Sequence, residues 1–261
     1  MINKIQLTIS ILSSGRINTV ERCLKSLLPF KERMNTQIIV TDTTGNGDGL
    51  IYDKEVRSIL YKYADVIIPF KWCDDFSAAR NIGLKETLGE WFLYIDDDEW
   101  FENPNRIIDF LLSKESKNYN RVDIEVKSFV DKELEYSSVC LATRLVRRTD
   151  ELTFKGYIHE YFTPIDNNPK VLFCPILHTG YIFDNEEDRF KHTQRNLILL
   201  EKAINEDPGQ TRWWLQLLQE YETIKEWDKI RELSDKYIKQ IYNTEVTDDN
   251  RKSLSYLRGL L

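Results

Sequence analysis

Only 4 cysteines occur in 261 residues, Cys23, Cys73, Cys140 and Cys174, and no two form a Cys-x-x-Cys pair. Their wide spacing argues against a structural zinc site and a dense disulfide framework, and points to a reducing, cytoplasmic setting. Positive charge is also short: 36 Lys+Arg face 43 Asp+Glu, for a net charge of -7. Nucleic acid and anionic membrane surfaces are therefore poor electrostatic partners. Long apolar runs are missing too. Residues 7–12 are interrupted by Thr8 and Ser10, and residues 91–95 end at three aspartates. Neither approaches the roughly 20 apolar residues that a spanning helix needs, so no membrane insertion is expected. The start of the chain has one basic residue, Lys4, and no small-residue cleavage signature, which disfavours a signal peptide. No polar low-complexity tract appears, and 41% hydrophobic with 12% aromatic residues suffices for a substantial core. One globular unit, or one domain with a small appendage, is expected.

What is present alternates between strand and helix signals in the first half. Residues 4–12 are β-rich, Ser13-Ser14-Gly15 breaks the run, and residues 18–28 carry Val20, Cys23, Leu24, Leu27 and Leu28 at helical spacing before Pro29. Residues 37–41 form a second apolar run ended by Asp42, followed by a glycine-rich loop through Gly49. That loop lacks the spacing and terminal Lys-Ser/Thr of a phosphate-binding P-loop. Helices over 53–63 and 76–88 and strands over 65–70 and 89–95 continue the pattern. Repeated β-α units predict an α/β domain with a largely parallel sheet, whose ligand site lies beyond the carboxyl ends of its strands. Residues 121–130, 140–148 and 171–177 read as further strands. From Glu186 the texture becomes helical: Phe190, Leu197, Leu200, Ala203 and Ile204, then a Pro208-Gly209 break, then Trp214, Leu217, Leu218 and Tyr221, with helices over 227–241 and 253–261. We divide the chain into a catalytic α/β domain over 1–183 and a helical, tetratricopeptide-like extension over 184–261.

The most informative segment is Tyr94-Ile95-Asp96-Asp97-Asp98-Glu99, in which acids follow an apolar strand without a turn residue. Carboxylates crowded at a strand end repel one another unless a positive charge sits among them. Hard oxygen ligands suit Mg²⁺ or Mn²⁺, which in turn neutralise a substrate diphosphate. The plain alternative is a solvated loop in which Asp98 or Glu99 caps the next helix.

The surrounding residues weigh toward the first reading. Asp74-Asp75-Phe76-Ser77-Ala78-Ala79-Arg80-Asn81-Ile82-Gly83-Leu84 precedes the triplet, joined to it through Gly89-Glu90-Trp91-Phe92-Leu93-Tyr94-Ile95. With the Asp42 loop and the first strand and turn, this order resembles the GT-A fold inverting glycosyltransferases of family 2. The resemblance covers roughly residues 5–102 well. Arg144-Leu145-Val146-Arg147, Lys155-Gly156-Tyr157-Ile158-His159-Glu160 and His178-Thr179-Gly180-Tyr181 extend it to about residue 222, in the manner of members with a helical C-terminal extension such as a peptide S-glycosyltransferase. It implies a GT-A (nucleotide-diphospho-sugar transferase) fold, with a mostly parallel central sheet plus the α-helical extension.

The resemblance also implies roles. Ser13 and Asp42 match positions that hold the nucleotide base and ribose, and Arg80 matches a basic residue near base and phosphates. Asp96, with Asp97 beside it, would contact the ribose or a metal-bound water. Asp98 would ligate the metal, and His178 would complete its coordination. Carboxylates with an imidazole favour Mn²⁺ over Mg²⁺, because the borderline metal tolerates nitrogen. Each residue has a plainer reading: loop capping for Asp42, a helix salt bridge for Arg80, a satisfied core histidine for His178.

The sequence departs from the family at Gly15-Arg16, where many members carry Asn-Glu or similar acids, and the usual late acidic pair is not obvious. Glu160 is the best acid in the right region for taking the acceptor's proton, unless His159-Glu160 only shapes the acceptor loop. Asp74 and Asp75 are reserves for sugar hydroxyls. The expected protein is a metal-dependent inverting glycosyltransferase that moves a hexose or N-acetylhexosamine from a UDP-sugar to a protein, peptide or glycan acceptor. A sugar-nucleotide pyrophosphorylase and a noncatalytic scaffold built on a decayed transferase domain are the rivals. Trp213, Trp214 and Trp227 line a sugar or peptide groove in one reading and pack helices in the plainer one.

Overall fold

β1 (Leu7–Ser13) and α1 (Ile17–Ser26) open the chain in a computed structural model that describes residues 4–45 and 53–242. Pro29, which ends the expected helix, instead lies in the first turn of a second one, α2 (Leu28–Arg33). Its missing N–H costs nothing there and its fixed φ suits a helix start. β2 (Thr36–Asp42), α3 (Lys54–Tyr63), β3 (Val66–Pro69), α4 (Phe76–Lys85) and β4 (Trp91–Asp96) then follow the expected alternation. Asp53 caps α3, its Oδ1 accepting from the N–H groups of Glu55 and Val56 at 2.8 and 2.9 Å.

The acids after β4 run directly into a short strand, β5 (Glu99–Phe101), so neither Asp98 nor Glu99 has a following helix to cap. After it come α5 (Asn105–Leu112), β6 (Arg121–Phe129), β7 (Ser137–Arg147), a two-stranded pair of β8 (Thr153–Lys155) with β9 (Tyr161–Thr163), and β10 (Lys170–His178).

Eight strands form one sheet in the order β3-β2-β1-β4-β7-β6-β10-β5. β3, β2, β1 and β4 pair in parallel, as do β6 and β10, while β7 and β5 run antiparallel to their neighbours. The expected mixed α/β, mostly parallel GT-A arrangement is present. β1 and β2 are buried at every position, as parallel strands covered on both faces must be. Among their buried polar side chains, the Thr8 hydroxyl donates to Gln37 Oε1 at 2.8 Å and accepts from the Gly89 N–H at 2.9 Å, whereas the Thr41 hydroxyl has no hydrogen-bond partner among the described residues. The sequence order reverses at β1, with β2 on one side and β4 on the other. In α/β sheets such a reversal is where ligands bind, past the carboxyl ends of the strands.

These elements make one compact unit over residues 4–45, 53–73, 77–155 and 161–182, and residues 74–76, 156–160 and 183–242 make a second. In the second unit Asn185 caps α6 (Glu186–Glu206) by accepting the Asp188 N–H, and Glu186, Glu187 and Asp188 fill the first turn, where negative charge is favoured. α7 (Thr211–Thr223) and α8 (Trp227–Tyr242) complete it. Their apolar stripes interlock: Leu197, Leu200 and Ile204, then Trp213, Trp214, Leu217 and Tyr221, then Ile230 and Tyr237, are all buried. Trp214 stacks on Tyr237 at 6.1 Å and donates its indole N–H to Pro208 O. Helix packing, the plainer reading, accounts for Trp213 and Trp214, whereas Trp227 is exposed. The expected helix over 253–261 and loop positions 46–49 lie outside the described residues. No described helix is long and apolar enough to cross a membrane.

Candidate active site

Strand register brings the expected nucleotide residues to one edge. Ser13 is paired with Asp42 across β1 and β2, and Leu12 with Asp96 across β1 and β4. Ser13, Asp42 and Asp96 thus end three adjacent strands at the point where strand order reverses. Asp42 is buried, and its Oδ1 accepts from the Thr44 N–H at 3.0 Å and hydroxyl at 2.7 Å, which shapes the loop that follows.

Every acid of the 96–99 run meets a guanidinium, with Asp97 and Asp98 sharing one, and the three arginines come from distant parts of the chain. Arg80, on α4, lies 2.9 Å from Asp96 Oδ1. Arg16, just before α1, spans Asp97 Oδ1 at 2.8 Å and Asp98 Oδ2 at 2.6 Å through one nitrogen. Arg144, on β7, meets Glu99 Oε1 at 2.5 Å, while Glu99 Oε2 accepts the Asp96 N–H at 2.9 Å. The Arg80 and Arg144 guanidiniums both lie 4.6 Å from the centre of the Tyr94 ring, whose negative face favours cations. Four carboxylates thus face three guanidiniums, which explains how such a run survives burial.

The two ends of the triplet differ electrostatically. Burial pushes the Asp96 carboxyl up, but the Arg80 and Arg144 charges outweigh it and hold its pKa below the usual range. Burial wins at Asp97 and Asp98, whose pKa values are raised despite Arg16. Asp97 is committed to the β1–α1 turn: it accepts from the Ser13 hydroxyl at 3.0 Å and the Ser14 N–H at 2.8 Å as well as from Arg16. That turn requires Gly15, which has φ 75°; a Cβ there would also lie 2.5 Å from Thr44 Cγ2.

His178 reaches the acids through sheet pairing. β10 runs antiparallel to β5 with His178 opposite Glu99, and the Thr179 N–H donates to Asp98 O at 3.2 Å. His178 Nε2 then lies 3.7 Å from Asp98 Oδ1, and Nδ1 is 3.0 Å from the Ser128 hydroxyl. A proton on Nδ1, donated to Ser128, leaves the Nε2 lone pair facing Asp98, the arrangement usual for a metal-ligating histidine. Gly180 keeps this corner open: a Cβ there would lie 2.3 Å from His178 Nε2 and 2.6 Å from Asp98 Oδ2. No group of three or more His, Cys, Asp or Glu converges as ligands among the described residues. One carboxylate and one imidazole nevertheless fit a divalent ion whose remaining ligands are phosphate oxygens and water. Gly180→Ala is accordingly expected to abolish metal-dependent nucleotide binding with little change in melting temperature. Calorimetric titration of UDP with and without Mn²⁺ checks this, and unaltered binding by the folded variant would show that the corner is not used.

Glu160 and its neighbour His159 belong to the second unit. His159 has φ 52°, a conformation costly for most side chains. Burial, the largest influence, pushes its imidazole down to about 4, with Arg212 and Arg195 adding to the effect and Glu160 opposing it. Unfolded histidine titrates near 6.5, so the unfolded chain takes up a proton over a range where the folded one does not. The stability His159 contributes is complete above about pH 6.5 and falls toward pH 4, by at most about 3 kcal/mol. Urea midpoints read by helix circular dichroism should therefore fall less steeply between pH 6.5 and 4.5 in His159→Asn, which tolerates this φ, than in the parent chain. Identical slopes would refute the assignment.

Sequence reasoning picked out the acids, Arg80 and His178 but missed Arg16 and Arg144 as partners and Ser128 as the support for His178. Arg16 was visible only as a departure from the family pattern and Arg144 only as the start of the Arg144–Arg147 motif, with no partner assigned; no local signal marked Ser128.

The fold is that of a mixed α/β domain with a mostly parallel sheet, and residues 9–137 match the model of Glycosyl transferase family 2. Two curated relatives, the SPbeta prophage-derived glycosyltransferase SunS of Bacillus subtilis (strain 168) and glycosyltransferase SunS of Bacillus phage SPbeta, are each 26% identical over 268 residues. The alignment covers 96% of this chain and 57% of each relative, so the chain spans little more than half their length. The crystal structure of S. aureus TarS is similar in fold, with a TM-score of 0.50 at 12% identity over 98% of this chain and 53% of that one.

Proposed function

We propose that this chain is a metal-dependent inverting glycosyltransferase that moves a hexose or N-acetylhexosamine from a UDP-sugar to a protein, peptide or glycan acceptor. The observation that carries the reading is the convergence of Asp98 and His178 on the corner kept open by Gly180, beyond the carboxyl end of β4. The match of residues 9–137 to the family 2 model and the similarity to glycosyltransferase relatives support the reaction class.

In this reading Asp98 and His178 hold the divalent ion, Mn²⁺ in preference to Mg²⁺, which when bound neutralises the negative charge on the departing diphosphate. Ser13 and Asp42, at adjacent strand ends, bind the nucleoside. Arg80 positions Asp96 toward the ribose. Asp97 fastens the turn after β1 and thereby the wall of the donor site. Glu160 accepts the proton of the acceptor's nucleophilic atom as that atom bonds to the anomeric carbon. The bond from that carbon to the diphosphate oxygen breaks, and UDP leaves with the electron pair. The helical extension over 184–261 presents the acceptor, in a cytoplasmic protein.

Release of UDP from UDP-glucose, UDP-galactose and UDP-N-acetylglucosamine, with Mn²⁺ and with chelator, tests the proposal. Mn²⁺-dependent release from at least one donor is expected. Failure to bind or cleave any of them would favour the scaffold reading, and pyrophosphate-dependent nucleotide-sugar formation would favour the pyrophosphorylase.

A further inference from the structure

Among the three arginines that face the acids, Arg16 differs in two ways. The Arg80 and Arg144 side chains are 8% and 10% exposed, whereas that of Arg16 is 46% exposed. It also bridges two carboxylates, Asp97 and Asp98, through a single nitrogen; its Nε and Nη2, like the buried Nε and Nη1 of Arg144, have no hydrogen-bond partner among the described residues. Its bond to Asp98 falls on Oδ2, the oxygen that borders the corner left by Gly180.

Water reaches the Arg16 guanidinium but not its carboxylate partners, which are 1% and 8% exposed. Arg16 is therefore the cation of the three that solvent can most readily replace, while each acid still needs a positive charge. A divalent ion on Asp98 would compete with the Arg16 guanidinium for the same oxygen, and the two positive charges would repel. Arg16 need not leave the site when this happens. Asp97, which is 1% exposed and anchored to Ser13 and Ser14, retains it through the shared nitrogen. The freed edge of the guanidinium, with its unused donors, has the fork geometry that phosphate oxygens accept.

Building on the metal and diphosphate reading above, we propose that Arg16 is a resident counter-cation: it occupies Asp98 until a divalent ion displaces it, and then grips the diphosphate of the donor. It is a positioning residue for the metal and a binding residue for the nucleotide. The Gly15-Arg16 departure from the family's acidic pattern thereby has a function. An acid at position 16 could neither neutralise the triplet nor bind phosphate.

The two roles give opposite signs on substitution. Without nucleotide, Arg16→Gln should bind Mn²⁺ about tenfold more tightly than the parent chain, as expected if the arginine occupies Asp98 nine-tenths of the time. At saturating Mn²⁺ the same variant should bind UDP about tenfold more weakly, the loss of one charge-assisted contact. Free Mn²⁺ measured by electron paramagnetic resonance gives the first value and calorimetry the second, both on the full chain. Arg22→Gln is the control. Its guanidinium lies 3.5 Å over Trp100 and within the field of Asp98 but makes no bond to it, so its removal subtracts the same charge. A much smaller gain in Mn²⁺ affinity from Arg22→Gln supports displacement; an equal gain reduces the effect to net charge and overturns the inference. If Arg16→Gln weakens both ligands, Arg16 is only structural and the inference fails alone. If neither the parent chain nor Arg16→Gln binds Mn²⁺, the metal reading and this inference fall together.

Discussion

Asp98→Ala is expected to lower UDP affinity in the presence of Mn²⁺ by about 100-fold or more, in line with the 3–5 kcal/mol cost of removing one partner from a buried charged site. Asp98 is 6% exposed, so water substitutes poorly for the lost carboxylate. Its Oδ1 faces His178 and its Oδ2 faces Arg16, so the deletion leaves one imidazole to hold the ion and Arg16 paired with Asp97 alone. The loss should be metal-specific: residual UDP binding in chelator should equal that of the parent chain. Calorimetry in both conditions, with circular dichroism to confirm folding, decides the matter. Equal Mn²⁺-dependent affinities in the parent and a folded variant would remove Asp98 from the donor site.

Glu160→Gln should reduce turnover by about 10²–10⁴-fold, the usual contribution of a positioned general base, while UDP affinity stays within twofold. The split follows from the task. A base acts on the acceptor's proton and need not touch the nucleotide, so its loss appears in kcat and not in donor binding. The amide keeps the size of the carboxylate and removes its charge and basicity, so packing beside His159, with its φ of 52°, is preserved. Steady-state transfer to a true acceptor, paired with UDP titration, is the measurement. Parent-like turnover would leave Glu160 with a loop-shaping role only, and a parallel collapse of UDP binding would mean that the substitution damaged the fold.

Much of the α/β frame was readable because its signals are local. Residues 7–12 and 91–95 are short apolar runs bounded by breakers or acids, and they appear as β1 and β4. The helix over 53–63 appears as α3 with Asp53 as its cap. Elements with weak periodicity escaped notice. β5 is 3 residues long, as are β8 and β9, and such segments acquire strand geometry only by pairing with distant chain. Pro29 misled because a proline that stops one helix is equally suited to start another.

By itself the sequence determined that an apolar strand would deliver Asp96, Asp97, Asp98 and Glu99 to one end of a parallel sheet, since that follows from strand spacing and breakers within a few residues. The resemblance to family 2 glycosyltransferases, carried by motifs in the same order, pointed to Arg80 and His178. Only the tertiary structure decided which cation neutralises which acid. Arg80 lies 16 residues from Asp96, Arg144 45 from Glu99, and Arg16 82 from Asp98. Those pairings depend on strand order and register, with His178 opposite Glu99 and Leu12 opposite Asp96. Register depends on how whole faces bury their side chains, and a charge pair depends on separations of a few ångströms. Neither quantity is encoded in any short window of residues.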